Sequence, residues 1–235
     1  MKVTVVGAGY VGLVTGVCLA DLGNEVLCLD VDAGRVARLQ TGKSPIYEPG
    51  LEKLVQTNLT AGRLRFTTIG REAIKDADVV VIAGGTPSTP DGGVDLASIF
   101  SVAREIGEVL QRFDLKEKIV VLKSTVPVGT TDTVSKILGS FCKGGACIAN
   151  NPEFLREGTA VEDFMRPDRV IIGTTCIEAR DALLKLYRPF TSSGKILVMD
   201  PNSSELVKYA SNAMLAIRIA FMNEMAILAS SVGAN

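Results

Sequence analysis

Three glycines constrain this chain more than any other feature. Val5-Val6-Gly7-Ala8-Gly9-Tyr10-Val11-Gly12 follows an apolar strand-like run at Val3–Val6 and opens a helical pattern over Tyr10–Leu22. In a strand that turns straight into a helix through G-x-G-x-x-G, the first glycine allows the tight turn. The second leaves the backbone bare for an approaching pyrophosphate, and the third lets the helix pack close to the sheet. The helix N-terminus adds N–H donors and the positive end of its dipole, which together favour an anion.

The alternation of strand and helix continues along the chain. Val26–Leu29 precedes a helical pattern over Ala33–Leu39. Val79–Ile82, Ile119–Leu122 and Cys147–Ala149 alternate with helical stretches near Leu96–Leu110 and Thr131–Leu138. Short, continuously apolar strands belong to a parallel sheet covered on both faces. The expected class is therefore α/β, a Rossmann-like, doubly wound, mainly parallel sheet. Arg169–Gly173 and Lys195–Met199, flanking a helical pattern from about Glu178 to Tyr187, extend that sheet and make residues 1–201 one domain.

From Asn202 the pattern changes. Asn202 and Glu205 read as a capping box. Leu206, Ala210, Ala213, Met214, Ile217, Phe221, Met225 and Leu228 then recur at helical spacing, with no proline as far as Val232. Residues 202–235 are predicted to be one helix of roughly 30 residues, about 45 Å long. So long an apolar helix cannot complete its burial against the preceding domain alone. It calls for a second domain or a second copy of the chain, the expectation being a homodimer through this helix.

Asp30 ends the second strand, 18 residues after Gly12. A carboxylate there accepts bonds from adenosine ribose hydroxyls and repels a 2′-phosphate, so NAD is expected rather than NADP. Arg35 is the one nearby cation that could favour NADP instead; it is read as contacting the ribose or solvent. Gly84-Gly85-Thr86-Pro87, Lys123 to Thr130 and Asn150 to Gly158 each leave the carboxyl end of a predicted strand, where open α/β sheets bind ligands. The expected cofactor-binding set from these stretches is Gly7, Gly9, Tyr10, Val11, Gly12, Asp30, Arg35, Gly85, Thr86, Ser124 and Thr125.

Composition narrows the chemistry. With no histidine in 235 residues, every imidazole-based mechanism within them is excluded, and acid–base work falls to Asp, Glu, Lys, Cys or Tyr. A net charge of −1 gives no electrostatic reason to expect a nucleic-acid or membrane partner. No apolar run is read as long enough to span a bilayer, which takes roughly 20 residues. An odd count of five cysteines, in a chain that opens directly into a strand, reads as reduced and cytoplasmic. Cys18 and Cys28 read as core residues, and Cys176 has no partner motif. Cys142 and Cys147 lack a second pair to complete a metal site, so no metal is expected.

These stretches combine with Ser44-Pro45-Ile46-Tyr47-Glu48-Pro49-Gly50-Leu51, Pro167 to Gly173, and Glu205-Leu206-Val207-Lys208-Tyr209-Ala210 through Asn223-Glu224. Taken together, the chain resembles the UDP-glucose/GDP-mannose dehydrogenase family along essentially its whole length. Lys123 to Gly129 and Lys208-Tyr209-Ala210-x-Asn212 look more like the UDP-glucose 6-dehydrogenase branch. The resemblance implies a four-electron oxidation of UDP-glucose to UDP-glucuronate with two NAD. The C6 alcohol becomes an aldehyde, a cysteine thiolate traps it, a second hydride leaves a thioester, and water releases the uronate.

The resemblance also implies roles. Thr125 helps to hold the catalytic water, and Glu153 has an acid–base part in thioester hydrolysis. Phe154, Leu155 and Arg156 contact the sugar nucleotide. Glu157 reaches toward nicotinamide and substrate, Lys208 stabilises the developing oxyanion, and Asn212 lies near the reacting carbon. Independently, Lys208 and Asn212 stand four residues apart and so share a helix face. A cation and an amide donor aimed at one point form an oxyanion site. Glu205 reads as a cap or dipole partner.

One departure stands out. The family's nucleophilic cysteine belongs to a Gly-Gly-Ser-Cys-type loop beyond the long helix, and none of the five cysteines matches it. The expectation is that these residues are the NAD-binding half and central helix of a longer enzyme, inactive alone. Two alternatives stay open at this point: a single-hydride enzyme of the β-hydroxyacid dehydrogenase type, and a non-catalytic NAD-binding or dimerisation module.

Overall fold

A computed structural model describes residues 1–115, 118–141, 146–189 and 196–234. The chain runs β1 (Lys2–Val6), α1 (Tyr10–Asp21), β2 (Glu25–Leu29), α2 (Ala33–Gln40), α3 (Leu51–Thr60), β3 (Leu64–Thr67), α4 (Gly70–Asp76), β4 (Val79–Ile82) and α5 (Ala97–Arg112). It continues with β5 (Ile119–Leu122), α6 (Thr130–Gly139), β6 (Cys147–Asn150), α7 (Ala160–Met165), β7 (Val170–Gly173), α8 (Ile177–Tyr187), β8 (Ile196–Met199) and α9 (Pro201–Val232).

The strands form one sheet in the order β3-β2-β1-β4-β5-β6-β7-β8. All neighbours are parallel except β6 and β7, which meet antiparallel at Asn150 and Gly173. The order reverses between β1 and β4, and the crevice above that switch point is where such sheets take their ligands.

β4 shows why the strands read as unbroken apolar runs. Val79 and Val81 join the core on one face of the sheet, Val80 and Ile82 the core on the other. Alternate side chains point to opposite faces, and both faces are covered. α1, α3, α7 and α8 close one side, through Leu13, Val17, Leu51, Val55, Phe164 and Leu183. α4, α5 and α6 close the other, through Ile74, Ile99, Ile106, Val134 and Leu138.

The sequence pattern missed four short elements: α3, β3, α4 and α7. β3 is Leu64-Arg65-Phe66-Thr67 at the sheet edge, where only Leu64 and Phe66 are buried. An edge strand alternates and so lacks the continuous apolar run that marks its central neighbours.

Two local expectations need correction. The Asn202–Glu205 capping box does not form. Asp200 caps α9 instead, accepting from Ser203 N at 2.9 Å and Ser203 Oγ at 2.6 Å, with Pro201 in the first turn. Nor are all the cysteines reduced: Cys147, at the start of β6, is disulfide-bonded to Cys176, the N-cap of α8. Spacing could not reveal this pair, because the antiparallel turn-back of β7 brings the two together across 29 residues. Cys18 and Cys28 are buried thiols, both pushed up to about 12 chiefly by burial. Cys142 lies outside the described residues.

α9 packs only its first turns. Ser204, Glu205 and Lys208 are buried, whereas Met214, Ile217, Phe221, Met222, Ile227 and Leu228 lie open on the helix. Contrary to the sequence reading, α9 is long and apolar enough to cross a membrane by length and composition, with an 18-residue stretch of mean hydropathy 1.5.

Candidate functional site

The Gly7–Gly12 loop sits at the carboxyl end of β1. Gly7 has φ +100°, a conformation that strains any L side chain, and a Cβ there would stand 2.6 Å from Ala83 O. A Cβ on Gly12 would stand 1.8 Å from Gly7 O, so α1 can begin this close to the strand only without one. Gly9 differs: a Cβ there would meet no protein atom within 4 Å. The first and third glycines are thus explained by the protein's own packing. The second faces open space above the N-terminus of α1, where a pyrophosphate would lie.

Asp30 stands beside this loop, 6% exposed at the end of β2. Its Oδ2 accepts from Ala8 N at 2.7 Å and Arg35 Nη1 at 2.9 Å, and its Oδ1 from Asp32 N at 2.9 Å. Burial works to raise its pKa. The N–H donors of Asp32 and Ala8 and the Arg35 guanidinium outweigh that and hold Asp30 below the usual carboxylate range. An ionised carboxylate offers about four lone-pair positions, so Oδ1 keeps one for a ribose hydroxyl. Arg35, expected at the ribose or in solvent, is salt-bridged to Asp30. Val31, 98% exposed next to it, is an apolar surface that the sequence reading passed over.

The loops after β4 and β5 are tied together at the same edge. Ser124 Oγ donates to Gly84 O at 2.7 Å, Thr86 Oγ1 to Thr125 O at 3.0 Å, and Ser98 Oγ to Gly85 O at 2.8 Å. Three hydroxyls therefore fix loops that hydropathy alone leaves undefined.

A cleft of about 880 Å³ lies between the loop after β6 and the start of α9. Glu153, Phe154, Leu155, Arg156, Lys208 and Asn212 all line it, so the structure gathers most of the expected sugar-binding set in one place. Lys208 Nζ meets Glu153 Oε1 at 2.8 Å, while Glu153 Oε2 accepts from Leu155 N at 2.7 Å. The Phe154 ring lies under two cations, with Arg169 at 4.1 Å and Lys208 at 5.3 Å from its centroid. Arg156 is held by Asp163 at 2.6 Å. Thr125, Glu157 and the glycine loop are not among the cleft-lining residues. Tyr10 links the two regions, its hydroxyl 3.2 Å from Arg156 O.

The sequence reading did not select Lys123 as a site residue. It is 4% exposed in the cleft wall, its Nζ 3.1 Å from Asn151 Oδ1 and 3.3 Å from Tyr187 Oη. Burial pulls its pKa down to about 8, against the opposing pull of Glu153. The available signals were a lysine immediately after an apolar strand and its place at the head of the Lys123–Gly129 stretch; Tyr187, its partner, lies too far along the chain for any motif to join them.

Two buried contacts aim α9. Ser204 Oγ donates to Asn150 Oδ1 at 2.5 Å. Glu205, 1% exposed, accepts from Gly129 N at 2.6 Å, Thr131 N at 2.7 Å and Thr131 Oγ1 at 2.6 Å. It is a cap as expected, but for α6 rather than its own helix. Lys208 follows one turn later, so these bonds set where its ammonium points.

Residues 1–191 match the NAD binding domain of the UDP-glucose/GDP-mannose dehydrogenase family, and residues 202–235 match that family's central domain. The chain belongs to this family. It is 48% identical, over 100% of its own length and 54% of the relative's, to a UDP-glucose 6-dehydrogenase of Rhizobium meliloti. Among solved structures, a UDP-glucose dehydrogenase from Pyrobaculum islandicum superposes with a TM-score of 0.94 at 43% identity. A GDP-mannose dehydrogenase from Pseudomonas aeruginosa, crystallised as a ternary complex, gives 0.96 at 36% identity. Each covers all of this chain and 54% of the solved one. The chain thus spans about half the length of the curated relatives it matches. The matched NAD binding domain contains the loop whose second glycine faces open space.

Proposed function

We propose that this chain supplies the dinucleotide site and part of the sugar site of an NAD-dependent enzyme that oxidises UDP-glucose to UDP-glucuronate. The observation that carries the proposal is the Lys208–Glu153 pair at 2.8 Å in the cleft beside the NAD-binding loop. The 48% identity to a UDP-glucose 6-dehydrogenase supports this substrate over GDP-mannose.

NAD, held by the Gly7–Gly12 loop and Asp30, would accept the hydrides. The remaining work falls to the chain's own residues. Lys208 presents a desolvated ammonium where negative charge develops on the substrate oxygen, with Asn212 one turn on as an amide donor. Glu153, in contact with that ammonium, is placed to take a proton from the reacting hydroxyl or from water. The cleft lining sets Arg156, Arg166, Arg169, Arg218, Lys123 and Lys208 against Glu153, Glu162, Asp163 and Asp168, a cationic excess of two that would favour a diphosphate. Thr125 is proposed to hold the water, and Glu157 to reach the nicotinamide side.

Among the described residues no cysteine lines the cleft, so the trapping thiol of the proposed mechanism comes from outside them. The open apolar stretch of α9 is proposed to pack against a second copy and not against lipid. Arg218 and Glu224 fall within that stretch, and charges at bilayer depth are costly.

The test is stoichiometry. The intact enzyme with UDP-glucose and NAD is expected to yield two NADH per nucleotide sugar and a uronate product. One NADH per substrate would replace this reading with the single-hydride one. No NADH from UDP-glucose, with turnover of another nucleotide sugar, would move the substrate assignment.

A further inference from the structure

The stretch from Ser44 to Leu51 takes no part in the reaction as proposed, yet it contains one of the most constrained carboxylates in the chain. Glu48 is 5% exposed. Its Oε1 accepts from the Tyr10 hydroxyl at 2.5 Å and from Gly158 N at 2.6 Å, and its Oε2 from Ala160 N at 3.1 Å. Three segments far apart in sequence thus meet on one side chain. Tyr10 is the first residue of α1 in the dinucleotide loop. Gly158 and Ala160 close the loop that carries Glu153, Arg156 and Glu157.

We propose that Glu48 is a positioning residue that couples the dinucleotide loop to the sugar-binding loop, so that nucleotide and sugar are held by one framework. The coupling to NAD rests on the family's NAD-binding domain; the coupling to sugar rests on the function proposed above.

The chemistry fits a fixed strut and not an acid or base. Burial works to raise the Glu48 pKa, but the Tyr10 hydroxyl and the N–H groups of Gly158 and Ala160 overcome it and hold the carboxyl below its usual range. Tyr10 is pushed upward by burial and by Glu48 itself, so its hydroxyl keeps its proton. The bond is therefore a hydroxyl donating to a carboxylate at every working pH. Capping the start of α7 would need only the two N–H bonds. The third reaches the residue whose backbone opens the pyrophosphate site, and that bond has no role in holding α7. Ordering either loop then orders the other, and by linkage each ligand raises the affinity of its partner by the same factor.

The test is a double-mutant cycle in the intact enzyme with Glu48→Gln and Tyr10→Phe. NADH affinity is read by fluorescence, and KM and kcat for UDP-glucose separately. Each single variant is expected to weaken NADH binding by about 3- to 10-fold, the scale of one hydrogen bond. The double variant should be no weaker than the poorer single one. The KM for UDP-glucose should rise more than kcat falls. Additive losses overturn the proposal, as does unchanged NADH affinity in variants that merely melt earlier. If Glu48→Gln does not fold, Tyr10→Phe decides alone, because it leaves both backbone bonds to Glu48 in place. NADH binding needs no turnover. A coupled cycle in an enzyme that ignores UDP-glucose would therefore overturn the substrate assignment and leave Glu48 standing.

Discussion

Lys208 Nζ stands 2.8 Å from Glu153 Oε1, with both side chains largely withdrawn from water. One comes from the second turn of α9 and the other from the loop after β6, and the proposed oxyanion site needs the tertiary fold to bring them together. Replacing Lys208 by Met should lower kcat of the intact enzyme by about 10²–10³, the usual cost of removing one such donor. NADH affinity should stay within twofold, because Lys208 does not touch the glycine loop. Initial rates and NADH titration of the same preparation check both halves.

The three glycines of the loop should separate by experiment. Gly9→Ala adds a methyl where there is no protein atom within 4 Å, at φ −72°, so the fold should lose no more than about 1 kcal/mol. Its NADH affinity should fall at least tenfold if the pyrophosphate lies where it is proposed to, because the methyl would enter that space. Gly12→Ala should fail at folding, since its Cβ would stand 1.8 Å from Gly7 O. Thermal melts and NADH binding, measured side by side, distinguish the two.

Lys123 gives stability a pH dependence of definite sign. Its pKa falls from 10.5 to about 8 on folding, because burial removes the ammonium from water. From about pH 8 up to the usual lysine range, the unfolded chain holds a proton that the folded chain lacks. Stability attributable to this group therefore rises with pH through the window, and the deficit is complete below about pH 8. Its full size is about 3 kcal/mol. Lys123→Met should flatten urea-derived stability between pH 8 and 10 and raise it at pH 7. A wild-type curve that falls across that interval, unaltered by the substitution, would contradict the assignment.

Glu205→Gln should destabilise the chain by about 1.5–3 kcal/mol, the range for hydrogen bonds to a charged group. The amide has one acceptor oxygen where the carboxylate serves three donors on Gly129 and Thr131. Because the same contact aims α9, kcat should fall as well, in the folded fraction. Urea denaturation combined with rates normalised to folded protein checks this.

The Cys147–Cys176 bond predicts a thiol count. Of the five cysteines in these 235 residues, the two in the bond should be protected in denaturant without reductant, leaving at most three of the five to react with a thiol reagent, and reduction should expose all five. Five reactive thiols before reduction would show that the pair is not bonded.

Much of this protein could be read directly from its residues. Val79–Ile82 and Ile119–Leu122 were bounded by apolarity alone, because a strand buried on both faces has no polar residue to blur its ends. The glycine loop and Asp30 were legible because their spacing is local: a turn, a helix start and a strand end lie within one β-α-β unit. Lys208 and Asn212 could be assigned to one helix face for the same reason. Other features lay beyond that reach. Glu205 looked like the cap of its own helix and proved to cap α6. Cys147 looked unpaired until the reversal of β7 brought Cys176 to it. Glu48 stood in a quoted stretch with no visible purpose, and Lys123 had no sequence neighbour to mark its burial.

By itself the sequence determined what short-range periodicity and local backbone geometry can carry: strands, most helices, the glycine turn after β1 and the acidic residue that ends β2. Tertiary structure alone decided which buried charge meets which partner. Glu48 with Tyr10, Lys123 with Tyr187, Glu153 with Lys208 and Glu205 with Thr131 are pairs brought together by the sheet order and not by spacing. A buried polar group must find a partner wherever the packed chain supplies one, and that partner is set by the topology of the whole sheet.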